Sequence, residues 1–413
     1  MNILKFITAG SVDDGKSTLI GRLLYDTNSI LDDQLQAIQQ ANRKNDDGTV
    51  DLAILTDGLK AEREQGITID VAYKYFQTEK RKFIIADAPG HIQYTRNMIT
   101  GASNSDLIII LIDARKGVIE QTKRHSFIAK LLSMKKVLVC VNKMDMVDFA
   151  EDVYNNIKID YLHLSNNLKL TDVDFIPISA LKGDNIVDKS KHIDWYNGPT
   201  LLEYLENVEV EKNIGNTWRF PVQYVIRPQS SAYPDYRGYA GSVIGDTLKV
   251  GDPVLILPSG VKSSIKRIEF NQKSLKTASS GQAVVLHLND EVDISRGDYI
   301  VSADKPPFTQ RSFKANISWF ENSLLDTNNV YMLQTQTQTT KIKIPEIHYK
   351  FDVNNQSKVY NEDICLNDIG RVSVKAASDV VFDLNSDLPT NSRGIIIDPR
   401  NNLTVGALTI EEL

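Results

Sequence analysis

A phosphate-binding pattern lies close to the start of this chain: Gly10-Ser-Val-Asp-Asp-Gly-Lys-Ser17 fits G-x-x-x-x-G-K-[ST]. Its glycines leave successive backbone N–H groups free to curl around an anionic phosphate chain. The apolar run from Leu4 to Ala9 reads as a buried strand and Thr18 to Leu24 as a helix, so the pattern stands where a strand hands over to a helix N-terminus. Three more segments follow in order: Asp87-Ala-Pro-Gly90, Asn142-Lys-Met-Asp145 and Ser179-Ala-Leu181. Each alone is a common turn or tripeptide, and the ordered set is what constrains the fold.

Up to about residue 205, short apolar runs alternate with amphipathic stretches. Leu4 to Ala9, Lys82 to Ala86, Leu107 to Ile112, Val137 to Val141 and Phe175 to Ile178 read as buried strands. Near-continuous apolar strands separated by helices predict a mostly parallel, doubly wound sheet. All four motifs fall at the ends of such runs, where open α/β sheets bind ligands. Between the phosphate loop and Thr68, Leu31, Leu35 and Ile38 keep helical spacing and Asn45-Asp-Asp-Gly48 forms a turn, the pattern of a helical switch region. A last helix, Leu201 to Leu205, precedes the linker Asn213-Ile-Gly-Asn-Thr217. The texture then changes to period-two runs, Phe220 to Ile226, Pro253 to Leu257 and Ala283 to Leu288, with Gly-Asp turns at 245, 251 and 297, which predicts a small all-β barrel. Pro306-Pro307 breaks the chain before a second β-rich stretch, in which Gln334 to Thr340 reads as a partly exposed strand. The expected domains are 1–212, 213–307 and 308–413.

The motif residues assign a chemistry. Gly10, Ser11, Val12, Asp13, Asp14, Gly15, Lys16, Ser17 and Thr18 form the cradle, with Lys16 reaching the β and γ oxygens and the Ser17 hydroxyl placed on Mg²⁺. Asp87 ends a strand, as suits a carboxylate holding the metal through water. Gly90 can bring its N–H against a γ-phosphate because no Cβ intervenes. Asn142 and Lys143 flank a purine while Asp145 accepts from the N1–H and exocyclic amine of guanine, a donor pair that adenine lacks. Ser179 and Ala180, followed by Leu181, supply a backbone donor to the guanine O6. Thr68 is the candidate for a hydroxyl that grips Mg²⁺ only when the third phosphate is present. His91, directly after Gly90, is placed to orient an attacking water. His91, Lys16 and Thr68 are thus the candidate catalytic residues, and Ser17, Thr68 and Asp87 the candidate metal residues. The bland readings are a glycine-rich turn, a β-branched residue opening a strand and a solvated histidine.

Composition bounds the rest. A chain of 413 residues exceeds what one core usually serves. Hydrophobic content of 42% and charged content of 24% are ordinary, and no apolar run is long enough to span a bilayer. The chain enters the phosphate loop by Gly10, which leaves no room for a cleavable targeting segment, and Cys140 and Cys365 read as reduced thiols, so a cytoplasmic protein is expected. A net charge of −6 gives no sign of a general nucleic-acid-binding surface.

The phosphate loop, Gly66-Ile-Thr-Ile69, Asp87-Ala-Pro-Gly-His91 and the two trailing β regions resemble the translational GTPase superfamily of elongation-factor type. Within it the chain is most similar to the GTPase subunits of heterodimeric sulfate adenylyltransferases, on Gly10 to Leu19, Asp57 to Tyr73, Gln93-Tyr-Thr-Arg-Asn-Met98, Ile110 to Gly117, Arg219 to Val225 and Arg237-Gly-Tyr-Ala-Gly241. The likeness is dense over residues 1–260 and thin over the second barrel. It implies an α/β P-loop GTPase domain with a mostly parallel doubly wound sheet, followed by two small all-β barrels. It further implies GTP or GDP with Mg²⁺, and a smaller catalytic subunit that makes adenosine 5′-phosphosulfate from ATP and sulfate, with neither membrane nor nucleic acid as partner. Asp13 has two readings, a residue helping to hold a monovalent cation near the β and γ phosphates, as in some superfamily members, or a capped turn. The competing function is a translation factor that delivers tRNA or acts on the ribosome; a non-hydrolysing scaffold is set aside by intact Lys16, Ser17, Asp87 and His91.

Overall fold

The computed structural model describes residues 2–30, 71–88, 95–134, 136–210, 216–228, 236–352, 355 and 357–413. The predicted helical switch region around Leu31 to Ile38, with its turn at Asn45, lies outside them, as do Thr68, Gly90 and His91. The chain forms two compact units, Met1–Glu211 with Asp352–Ser357, and Lys212–Phe351 with Lys358–Leu413.

In the first unit a six-stranded sheet carries the site. Its strands are β1 (Asn2–Ala9), β2 (Ala72–Gln77), β3 (Arg81–Asp87), β4 (Leu107–Asp113), β5 (Lys136–Asn142) and β6 (Val173–Pro177), in the order β2-β3-β1-β4-β5-β6. Strands β3, β1, β4, β5 and β6 are parallel, and β2 is the antiparallel edge. Every residue of β4 is buried, as expected where helices cover both faces of a parallel sheet. Among the described residues the helices are α1 (Lys16–Asp26), α2 (Thr95–Ser103), α3 (Glu120–Leu131), α4 (Glu151–Leu168) and α5 (Leu201–Asn207). α1 lays Leu19, Ile20 and Leu23 on Leu4, Phe6, Ile109 and Leu111 of the sheet. α5 is fixed by a capping box, in which Thr200 accepts from the Glu203 amide at 3.2 Å and Glu203 accepts from the Thr200 amide at 2.9 Å. The chain runs from β1 to β3 on one side and to β4 on the other, so their following loops part beside β1 and open a crevice at the carboxyl edge. The register places Thr8 beside Asp87 and Asp113 beside Asn142 at that edge.

The second unit holds two closed antiparallel barrels. The first runs Pro253–Leu257, Tyr299–Ser302, Trp218–Ile226, Gly238–Ser242, Ala283–Leu288 and Val261–Phe270, and closes where the last pairs with the first. The predicted turns carry Gly245, Gly251 and Gly297 at φ of 86, 91 and 102°, conformations that disfavour a side chain. The second barrel runs Tyr331–Gln334, Arg393–Asp398, Leu403–Glu412, Phe308–Trp319, Ile369–Phe382 and Thr339–Asp352, and closes in the same way. Here one expectation is corrected, because Gln334 to Thr340 is not one strand. Gln334 pairs with Thr339, and the Thr335 amide donates to the Gln338 carbonyl at 3.0 Å, so the stretch is a hairpin turn. Its alternation has strand period, yet it supplies no apolar side chain for the core that Tyr331 and Leu333 fill on one side and Ile342 and Ile344 on the other.

The barrels are joined by a buried ion pair. Arg219 of the first donates from Nη2 and Nε to the Asp383 carboxylate of the second at 2.7 and 3.0 Å, and Asn391 donates to the same carboxylate at 2.8 Å. Leu257, Tyr299 and Val301 pack against Val381 around it. Asp383→Ala strands a buried guanidinium and should cost about 3 to 5 kcal/mol. A lowered denaturant midpoint for the barrel transition reads this out, and an unchanged midpoint shows that the pair does not hold the barrels.

Candidate functional site

The phosphate loop is held open from within. Asp13 and Gly15 take φ of 67 and 92°, and Asp14 turns its carboxylate inward to accept from the Ser11 amide at 2.6 Å. Burial raises the Asp14 carboxyl above its ordinary range, with the Ser11 amide and the Lys16 charge opposing. Lys16, the first residue of α1, is buried and donates to the carbonyls of Gly10 at 2.9 Å and Ser11 at 2.8 Å. Burial pulls its ammonium below the usual lysine range, and the carboxylates of Asp87, Asp14 and Asp13 pull it back. An ammonium carries three donors, so one remains for a ligand inside the loop.

The far end of the site is organised by Asn142 at the tip of β5. Its Nδ2 donates to the Asp14 carbonyl at 2.7 Å and its Oδ1 accepts from the Ala180 amide at 2.9 Å, so one side chain ties the phosphate loop to the Ser179-Ala180-Leu181 loop. A Cβ on Gly15 would stand 2.4 Å from Asn142 Nδ2, so glycine at 15 is required twice, by conformation and by space. The Ala180 amide, expected to serve guanine O6, is engaged by Asn142 in this arrangement, whereas the next amide, of Leu181, has no acceptor among the described residues. Lys143 adopts φ of 62° and reaches across the site, donating to the Asp13 carbonyl and pairing with Asp113 at 3.0 Å. Asp145 accepts from the Ser179 hydroxyl at 2.6 Å through Oδ1, which fixes its plane.

Asp113 with its partner Arg115, and Arg22, are residues that motif reading did not single out, and they complete the frame. Asp113 ends β4 as Asp87 ends β3, and it accepts from Arg115 at 3.0 and 2.7 Å as well as from Lys143. Burial alone would raise its carboxyl, but the hydrogen bonds from Arg115 and Lys143 outweigh it and hold Asp113 well below the usual range. The position was readable, since a carboxylate closing an apolar run at the ligand edge is the signal that singled out Asp87. Arg22, six residues past Lys16 on α1, donates to the carbonyls of Ala180 at 3.3 Å and Leu181 at 2.6 Å. No local pattern announces it, because its partners lie about 160 positions on. Asp87 is buried with the Thr8 hydroxyl 3.5 Å away, and Ser17 stands in the first turn of α1.

The donor set fits a nucleotide with a divalent cation. A buried ammonium with a spare donor, a loop whose glycine cannot be widened and a buried carboxylate pair, Asp14 and Asp87, around it form a cradle for an anionic chain and a hard cation. The base end offers one braced carboxylate, Asp145. Arg22→Ala should loosen the Ser179 to Leu181 loop and weaken GDP binding by about tenfold, the worth of one charge-assisted hydrogen bond. Calorimetry with an unchanged circular dichroism spectrum checks this, and unaltered affinity removes the bracing role.

The family described as elongation factor Tu GTP binding domain matches residues 1–211, and the one described as GTP-eEF1A C-terminal domain-like matches residues 312–411. The sulfate adenylyltransferase subunit 1 of Cronobacter sakazakii is 49% identical over all of this chain and 86% of its own length. Those of Alteromonas mediterranea and Citrobacter koseri are 49% and 47% identical, again over the whole chain and over 88% and 86% of theirs.

Proposed function

Because this chain belongs to the sulfate adenylyltransferase subunit 1 family, with a GTP-binding domain of elongation factor Tu type, we propose that it hydrolyses GTP to drive sulfate activation on a smaller partner subunit. There a sulfate oxygen attacks the α-phosphorus of ATP. The new P–O bond gives adenosine 5′-phosphosulfate, and the bond to the β-phosphate breaks to release pyrophosphate. The observation that carries the reading is a nucleotide site whose base end is built on Asp145, braced by Ser179. The sequence contains neither a second phosphate loop nor a His-x-x-His cluster for ATP and sulfate, so adenylyl transfer belongs to the partner.

In this mechanism the loop amides and Lys16 bind the β and γ oxygens and neutralise charge that grows there during hydrolysis. A bound polyphosphate also restores the ammonium that burial weakens. Ser17 and Thr68, with Asp87 through water, would hold Mg²⁺, and the ion would supply Lewis acidity at the phosphates. His91 orients the attacking water and the Gly90 amide registers the γ-phosphate. Asp145 accepts from two guanine donors that adenine lacks, so against adenine the acceptor sites not taken by Ser179 go unmet. Asn142 and Lys143 clamp the ring edges. Asp13 is exposed at the loop, where a monovalent cation near the β and γ phosphates would give hydrolysis a potassium dependence. The cytoplasm, where ATP, GTP and reduced thiols coexist, suits Cys140 and Cys365, both unpaired.

Purification of the chain with its partner and assay of GTP-dependent phosphosulfate formation, with sulfate omitted as control, tests the reading. Hydrolysis stimulated by ribosomes instead would support the translation-factor alternative. His91→Ala should lower GTP hydrolysis by about a hundredfold or more while GTP affinity stays within about twofold; a collapse of affinity refutes the role. Asp145→Asn presents an amide donor in place of an acceptor and should cost roughly a hundredfold in GDP affinity while admitting XDP, whose ring carries a carbonyl where guanine carries the amine. Calorimetry with GDP, XDP and ADP reads the switch, and retained preference for GDP sinks the base assignment.

A further inference from the structure

The outer face of the second barrel carries an arrangement that folding does not favour. Strands Thr339–Asp352 and Ile369–Phe382 pair antiparallel with Lys343 directly opposite Lys375. Like charges at such positions destabilise a sheet. Lys341 lies two residues from Lys343 on the same exposed side, while Ile342 between them and Ile344 after them point into the core. Among the described residues none of the three lysines has an ion-pair partner. The nearby acids are engaged elsewhere. Glu346 accepts from Ser373 at 3.3 Å, Glu412 pairs with Arg371 at 3.0 Å and Lys314 at 3.4 Å, and Asp379 pairs with Arg311 at 2.8 Å.

The same face continues as an apolar strip. Met332 stands opposite Lys341 on one side and Ile397 on the other, and Ile395 stands opposite Gln334. Ile395 and Val330 are 37% and 41% exposed. Uncovered Ile, Val and Met edged by unpaired lysines have the composition of a protein interface, an apolar centre with a charged rim. Nucleic acid is the less suitable occupant. Three lysines neutralise few phosphates, aromatic rings for stacking are absent from the strip, and the chain as a whole carries −6.

We propose that this face docks an acidic, partly apolar surface of the smaller subunit, with Lys341, Lys343 and Lys375 steering the encounter and the Met332, Ile395 and Ile397 strip sealing it. The proposal rests on the functional reading above. Its test uses the full chain and the smaller sulfate adenylyltransferase subunit, with the dissociation constant measured by calorimetry at low and high salt. The double variant Lys343→Glu/Lys375→Glu should weaken the complex at least about tenfold and flatten its salt dependence. It should leave GTP hydrolysis by the isolated chain unchanged, which verifies the fold. Lys273→Glu, on the first barrel, should bind as the unaltered chain does. Equal affinity and equal salt slope for the double variant overturn the docking face while leaving the functional reading intact. Failure of the unaltered chain to bind the subunit at all overturns both. Loss of tRNA retention by the double variant, with subunit affinity preserved, reassigns the face to nucleic acid.

Discussion

The primary amide of Asn142 is the contact on which the candidate site depends. One end donates to the phosphate loop and the other accepts from the loop after β6, so the two halves of a nucleotide pocket, separated by well over a hundred positions in sequence, are spaced by a single planar group. An amide is suited to this because it is the smallest neutral side chain that donates and accepts in one plane. A carboxylate at 142 would repel the Asp14 carbonyl, and an apolar residue would leave two shielded backbone groups unpaired. Around this tie, Asp113 holds Lys143 and Arg22 holds the Ala180 and Leu181 carbonyls, so the base end is a closed network of charge-assisted hydrogen bonds.

The fold explains why such a network can form. Parallel strands end together on one edge, and the register that aligns Thr8 with Asp87 and Asp113 with Asn142 delivers polar residues there side by side. The apolar interior of each strand anchors its polar tip. Ile108 to Ile112 and Val137 to Val141 are buried along their length, so the tips have little freedom to drift.

Much of this was legible in the chain. Apolar runs gave five of the six sheet strands, and glycines at 245, 251 and 297 marked turns of the first barrel because their left-handed conformations leave little choice of residue. The β2 strand was not read, because Ala72-Tyr-Lys-Tyr-Phe-Gln77 mixes exposed and buried positions on an edge that faces water. The Gln334 to Thr340 stretch misled for the opposite reason, since strand-like alternation without an apolar face does not make a strand. Among the described residues Asn142 meets both the phosphate loop and the Ser179 to Leu181 loop, whereas Arg22 and the Lys143 to Asp113 pair depend on contacts that only the folded chain creates. Thr68, Gly90 and His91 keep their roles as proposals resting on chemistry and motif position.

The buried pair between Arg219 and Asp383 bears on how the barrels respond to load. A seam made of a shielded bidentate contact and a small apolar cluster is stiff, since sliding would expose charge to a poor solvent. The two barrels therefore tilt together. A push received by either one is delivered at the far end of both as displacement, with little lost to bending at the joint.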